Sequence, residues 1–217
     1  MIRLIVLLAL FPGLLFAQDT WKDVYSESAW KERDIWQKPN ELIRYLNLKP
    51  GSQVADVGCH EGYMTLKLSG AVGNQGKVFA VDIEQPKLDR LNKHLEDRQI
   101  TNVTTIKGTD DDPLLPAGAL DAVVILDTYH EMDAHESMLR HIKDALKPGG
   151  RLVLCEAIAE ARRNGTREEQ ERKHELAMRF ALEDVRKAGF SLVYQADPFV
   201  DRTAEKGDKM WILVVKK

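Results

Sequence analysis

The sequence predicts a doubly wound α/β domain whose mostly parallel sheet ends in an antiparallel strand pair, and three observations carry that prediction. The first is the β-prone run Val54-Ala55-Asp56-Val57, followed by Gly58-Cys59-His60-Glu61-Gly62-Tyr63, a tight turn bracketed by glycines ahead of a helix-capable segment. Such a strand–loop–helix unit lets backbone approach a ligand closely, because glycine has no Cβ to hold it away. The second is the next β-prone run, Lys77-Val78-Phe79-Ala80-Val81-Asp82, which also ends in an acid. An acid closing strand two is how doubly wound folds take the ribose hydroxyls of an adenosine-type ligand. The third is the pair of β-prone segments 191–200 and 209–215, with no helical pattern between them. Consecutive strands without a crossover helix must run antiparallel.

The remaining elements follow in order. With 217 residues the chain suits one well-buried α/β domain and is short for two. Arg3, the apolar residues 4–10, Pro12-Gly13 and Leu15-Phe16-Ala17 ahead of Gln18-Asp19 have the layout of a secretory signal over residues 1–17. The apolar span is shorter than the ~20 residues of a membrane-crossing helix. Cleavage after Ala17 would remove Arg3 and shift the net charge from −3 by one further negative unit. The expectation is export to a periplasmic or extracellular space, with a cytoplasmic or membrane-associated location as the alternative.

Residues 18–48 read as a helical cap: Trp21, Val24, Tyr25, Ser28 and Ala29 recur at helical spacing, and Ile35 and Trp36 follow. Its aromatic face is either plain core packing or a lid over a substrate pocket. Pro39 suits the first turn of a helix over 40–47, and Lys49-Pro50-Gly51 turns the chain into strand 53–57. The domain proper spans 49–217. A helix begins at 64–68, and Pro86 opens another with Leu88, Leu91 and Leu95 inward. Strand 103–107 comes next, and the unbroken apolar run 122–126 marks a strand covered on both faces. Asp133 and Glu136 read as a capping pair for a helix stopping at Lys147-Pro148-Gly149-Gly150, before strand 151–154. Thr166 and Glu169 form another capping box, and Ala177, Phe180, Ala181, Val185 and Ala188 give a helical core face ending at Gly189.

Cys59 and Cys155 are the only cysteines. Closing strands one and five with strand four between, they would lie about 10 Å apart, beyond disulfide reach. The net charge of −3 supplies no basic footprint for nucleic acid.

Over residues 49–217 the chain resembles the class I S-adenosylmethionine-dependent methyltransferases. Asp56-Val57-Gly58-Cys59-His60-Glu61-Gly62 is similar to their acidic Gly-rich motif, and Asp82 with Ile83 to their ribose-binding segment. Gly108-Thr109-Asp110 resembles the stretch whose acid meets the adenine amino group, and Ala145 to Gly150 the turn before strand five. The resemblance implies S-adenosylmethionine as cofactor and a seven-stranded sheet completed by the terminal antiparallel pair. His60 stands where the motif has its middle glycine, so its side chain must either point away from the ligand or clash with its methionine part. Arg33-Asp34, Trp36-Gln37-Lys38-Pro39 and Asp127-Thr128-Tyr129-His130-Glu131 resemble a bacterial methyltransferase group within that superfamily.

A sulfonium methyl is already activated, so the protein mainly has to align a nucleophile and remove a proton. Ligands in such sheets sit beyond the carboxyl ends of the strands. That puts Asp127, Thr128, Tyr129, His130, Glu131 and Glu156 around the reacting methyl. The expected roles are His130 as general base, Glu131 orienting it or binding substrate, Tyr129 lining the methyl cavity and Asp127 facing the cofactor amino group. His130, Glu131 and His135 do not share a helical face, so no metal site is expected. Two cysteines do not suffice to resemble arsenite methyltransferases and no Asn/Asp-Pro-Pro-Tyr follows strand four, while the aromatic N-terminal helix and the acidic balance favour a small or lipophilic acceptor. The competing readings are a non-catalytic S-adenosylmethionine-binding protein, suggested by His60 and the export signal, and an NAD-dependent oxidoreductase. The latter wants Gly-x-Gly-x-x-Gly, whereas the glycines here are Gly58 and Gly62. The residues do not set the oligomeric state.

Overall fold

The computed structural model describes residues 27–217, so the expected signal segment and Trp21, Val24 and Tyr25 of the cap lie outside the described residues. Seven strands form one sheet in the order β3-β2-β1-β4-β5-β7-β6. They are β1 (Gln53–Val57), β2 (Lys77–Asp82), β3 (Val103–Lys107), β4 (Leu120–Leu126), β5 (Leu146–Ile158), β6 (Ser191–Arg202) and β7 (Asp208–Lys216). The first five run parallel, and β7 lies antiparallel between β5 and β6. The order reverses at β1/β4, the switch point where such sheets open a crevice beyond their carboxyl ends.

Within β4, residues 122–126 show why this run is continuously apolar. Val123 and Ile125 pack into the core beneath α5 (His135–Ala145) and α7 (Met178–Lys187). Ala122, Val124 and Leu126 face the opposite layer, built on α2 (Pro39–Leu46) and α3 (Tyr63–Val72). A period of two with both faces covered leaves no position for a polar residue. Helix α4 (Gln85–Asp97) buries Leu88, Leu91 and Leu95 as its spacing requires. No described helix is long and apolar enough to cross a membrane.

Three local expectations are corrected. Helix α5 starts one residue later than a capping pair would need, with Ala134 at the N-cap; Asp133 makes no cap, and Glu136 instead receives Lys187 Nζ at 2.9 Å. The continuous helix expected up to Gly189 is split into α6 (Arg167–Glu171) and α7. The Thr166–Glu169 capping box does form, but after α6 the chain turns through His174, whose φ is 55°. Finally, the connection between β6 and β7 contains a short helix, α8 (Thr203–Lys206), where no helical pattern was read.

Candidate active site

The carboxyl ends of β1, β2 and β4 open into a cleft of about 830 Å³, within the range of small-molecule sites. Helix α1 (Glu27–Gln37) forms its outer wall with Trp30, Arg33 and Trp36. The same helix takes part in core packing, since Trp30 is also buried in a core cluster, edge-on to Tyr63 at 6.2 Å.

The glycine turn is fastened from beneath. Gly58 and Cys59 each donate their N–H to the Val81 carbonyl at 2.9 Å, binding the loop to the end of β2. Gly58 has φ 76°, and a Cβ there would overlap the Thr128 side chain. Gly62, at φ 97°, faces Leu91 in the same way and stands behind the cleft wall rather than in it. The requirement for glycine at both positions therefore comes from backbone conformation and neighbouring side chains.

His60 occupies the left-handed region at φ 50°, and its N–H donates to Asp82 Oδ2 at 2.9 Å. The second Asp82 oxygen accepts from Glu84 N at 2.9 Å. Two backbone donors thus fix the carboxylate plane at the end of β2, where Asp82 lines the cleft. The His60 imidazole is lowered to about 4, first by burial and then by Lys87 and Arg90, so it is neutral at pH 7. Deeper in, Asp56 accepts Thr65 Oγ1 at 2.6 Å, and burial pushes its carboxyl up to about 6. Ile83 and Asp110 line the same cleft, as do Cys59 and Asp127. Cys59 and Cys155 are both buried, unbridged thiols.

The loop after β4 departs from expectation. Glu156, expected beside the reacting methyl, is fully buried beneath it. It accepts Thr128 N at 2.6 Å, Tyr129 N at 2.5 Å and His130 Nδ1 at 2.7 Å, and so organises the whole loop. Tyr129, expected to line the methyl cavity, is also 0% exposed. It points into the core, with its hydroxyl donating to Asp184 at 2.9 Å. One turn of 3₁₀ helix over Tyr129–Glu131 brings this about by sending successive side chains in different directions. His130 is buried as well and does not line the cleft. Burial alone would lower its imidazole, but the Glu156 hydrogen bond and charge outweigh that and raise it to about 9. At neutral pH the ring is an imidazolium, a fixed charge and donor in place of the resting base expected. Glu131 does reach the cleft.

Asp127 has φ 58° and pairs with Arg202 Nη1 at 3.2 Å. Burial works against its charge, yet Arg202 and Arg33 hold its carboxyl below the usual range. Arg202 is in turn bonded to Asp208 and lies 5.4 Å from the Trp36 ring centroid. Arg202 and the cleft-lining Lys206, Lys87, Met132 and Met138 escaped the sequence reading. They come from segments far apart in the chain and form no local pattern.

Residues 54–150 match the family described as "Methyltransferase domain". Over these residues the chain is similar to methyltransferase domains. Demethylmenaquinone methyltransferases of Bacillus cereus (strain B4264) and Bacillus anthracis (strain A0248) are 28% identical over 138 residues, covering 64% of this chain. The match spans 57% of the length of those curated relatives. Among solved structures, a SAM dependent methyltransferase from Aquifex aeolicus superposes with a TM-score of 0.72 at 21% identity, covering 88% of this chain and 98% of that one. A geranyl diphosphate C-methyltransferase from Streptomyces coelicolor A3(2) gives 0.68 at 15% identity, covering 83% and 78%. These likenesses show the fold. The glycine turn, the Asp82 carboxylate, α1, Glu131 and Met132 all line this one cleft.

Proposed function

We propose that the protein transfers a methyl group from S-adenosylmethionine to a small organic acceptor bound in the same cleft. The observation that carries this reading is the buried Asp82 carboxylate, oriented by two backbone N–H groups on the wall of a cleft that the glycine turn also lines. A carboxylate held in this way presents its remaining lone pairs to a ribose diol. The site is also large enough for a nucleoside and a second small molecule together.

When bound, the sulfonium supplies an activated methyl. The chain's own part is to hold, align and shield. Asp82 anchors the ribose, while Ile83 and Asp110 stand where the adenine would lie. Asp127 keeps its negative charge through Arg202 and suits the cofactor's ammonium group. Trp30 and Trp36 on α1, with Met132 and Met138, offer apolar surface to the body of the acceptor. That surface, and relatives named for methylating demethylmenaquinone, support an acceptor with an apolar or aromatic body.

Calorimetry with S-adenosylmethionine, S-adenosylhomocysteine and NAD tests the reading. Both sulfur nucleosides should bind and NAD should not, and Asp82→Ala should weaken nucleoside binding roughly 10- to 100-fold by removing charge-assisted hydrogen bonds. Binding of NAD alone, or an Asp82→Ala variant with unchanged affinity, would overturn it.

A further inference from the structure

We infer that His130, Glu131 and His174 form a binding site for a divalent transition-metal ion of the zinc class at the rim of the cleft. Each residue offers one ligand atom, and all three atoms lie within 4.8 Å of one another. Glu131 Oε1 is 3.8 Å from His130 Nε2 and 3.5 Å from His174 Nδ1. Tetrahedral coordination at ~2.1 Å sets ligand atoms roughly 3.4 Å apart, so modest side-chain rotation closes the set. Two imidazoles and one carboxylate suit zinc, cobalt or iron(II), and a three-ligand set leaves a coordination position open.

Two further observations point to a metal rather than to a chance cluster. His130 Nδ1 is held by the fully buried Glu156 carboxylate at 2.7 Å, which directs Nε2 toward Glu131 and His174. A buried carboxylate behind a histidine is the outer-shell support that fixes the ring and raises its basicity in metal sites. A metal ion at Nε2 would take the place of the proton there. His174 sits in the left-handed region at φ 55°, with its own N–H bonded to the Glu171 carbonyl at 2.9 Å. The next residue, Glu175, is buried and accepts Ala159 N at 3.0 Å, so the chain is anchored immediately after His174. Non-glycine residues are kept in this conformation only where the surroundings over-determine it.

The site deepens the methyl-transfer proposal and rests on it for its role. Glu131 lines the cleft, so the open coordination position can accept an acceptor hydroxyl. Coordination lowers the hydroxyl pKa and its proton leaves to solvent. The resulting oxyanion then forms the O–CH₃ bond as the C–S bond breaks, and the electron pair stays on sulfur. The acceptor class is therefore an alcohol, enol or phenol.

The test is calorimetric titration of the untagged full chain with Zn²⁺, and visible absorption with Co²⁺ as a spectroscopic stand-in. We expect one ion per chain and ligand-field bands of a low-coordinate site. His174→Ala, an exposed position that should fold normally, should weaken binding at least 10-fold, while His141→Ala, at a half-buried position outside the cluster, should not. Absence of stoichiometric uptake by the wild type, or equal affinity in His174→Ala, would overturn the site. A parallel titration with S-adenosylmethionine in chelator separates the two proposals. Nucleoside binding without Zn²⁺ uptake removes the metal site alone, and Zn²⁺ uptake without nucleoside binding removes the methyl-transfer reading alone.

Discussion

Asp56 carries the motif's first acid, and its surroundings make it costly. Its side chain is buried at the end of β1, with Thr65 Oγ1 at 2.6 Å as its hydrogen-bond donor. Burial raises the carboxyl to about 6. A folded-state value above the unfolded one means that this group's contribution to stability is fully present below pH ~4 and is lost as pH rises through about 6. Asp56→Asn keeps an acceptor for Thr65 and removes the charge. The variant should match the wild type near pH 4 and exceed it at pH 8 by up to roughly 3 kcal/mol. Urea unfolding of both proteins across that range measures the difference, and parallel pH profiles would contradict the assignment. At this scale the sequence identified the acids at strand ends, because alternation and strand length fix which residue stands last. It could not foresee that Tyr129 and His130 turn inward, because a single 3₁₀ turn decides the direction of each side chain.

Among the elements, the strands were legible and the helix ends less so. β1, β2 and β3 lie where the β-prone runs put them, bounded by glycine and proline signals that act locally. The segment after β5 reads as one helix because a capping box opens it and an apolar face closes it, while the wholly polar residues 166–175, where the chain turns, carry no glycine or proline to mark the break. What stops the helix is Gln170, a fully buried side chain. Its Nε2 donates to the carbonyls of Arg162 at 2.7 Å, Arg163 at 3.2 Å and Gly165 at 3.2 Å, and its Oε1 accepts Ala177 N at 2.8 Å. One amide thus ties the loop ahead of α6 to the start of α7, taking Ala177 N, which a continuous helix would have paired within itself, and so brackets the turn that carries His174. Gln170→Ala would strand these groups in a buried site and should cost about 2–3 kcal/mol. Chemical denaturation reads this directly, and a loss below ~0.5 kcal/mol would show that the turn is held by other means.

Taken whole, the described residues form one sheet whose central strands are covered on both faces, and the cleft draws on β1, β2, β4, α1 and α8 at once. A ligand bound there should stabilise the molecule as a unit. At a hundredfold excess over its dissociation constant, S-adenosylmethionine should add ~2.7 kcal/mol and raise Tm by roughly 5–10 °C. Far-UV circular dichroism and tryptophan fluorescence should report the same shift. No shift, or a shift seen by one probe alone, would argue against a single cooperative unit built around the cleft. By itself the sequence determined the layered α/β class, the strand-ending acids Asp56 and Asp82, the glycine turn and the antiparallel close. These are consequences of periodicity, turn chemistry and neighbouring residues. Only the tertiary structure decided that Arg202 neutralises Asp127, that Glu156 lies beneath the loop rather than in the cleft, and that His174 meets His130 and Glu131. Those pairings join residues far apart in the chain, and their distances are set by how the layers pack, which no local pattern encodes.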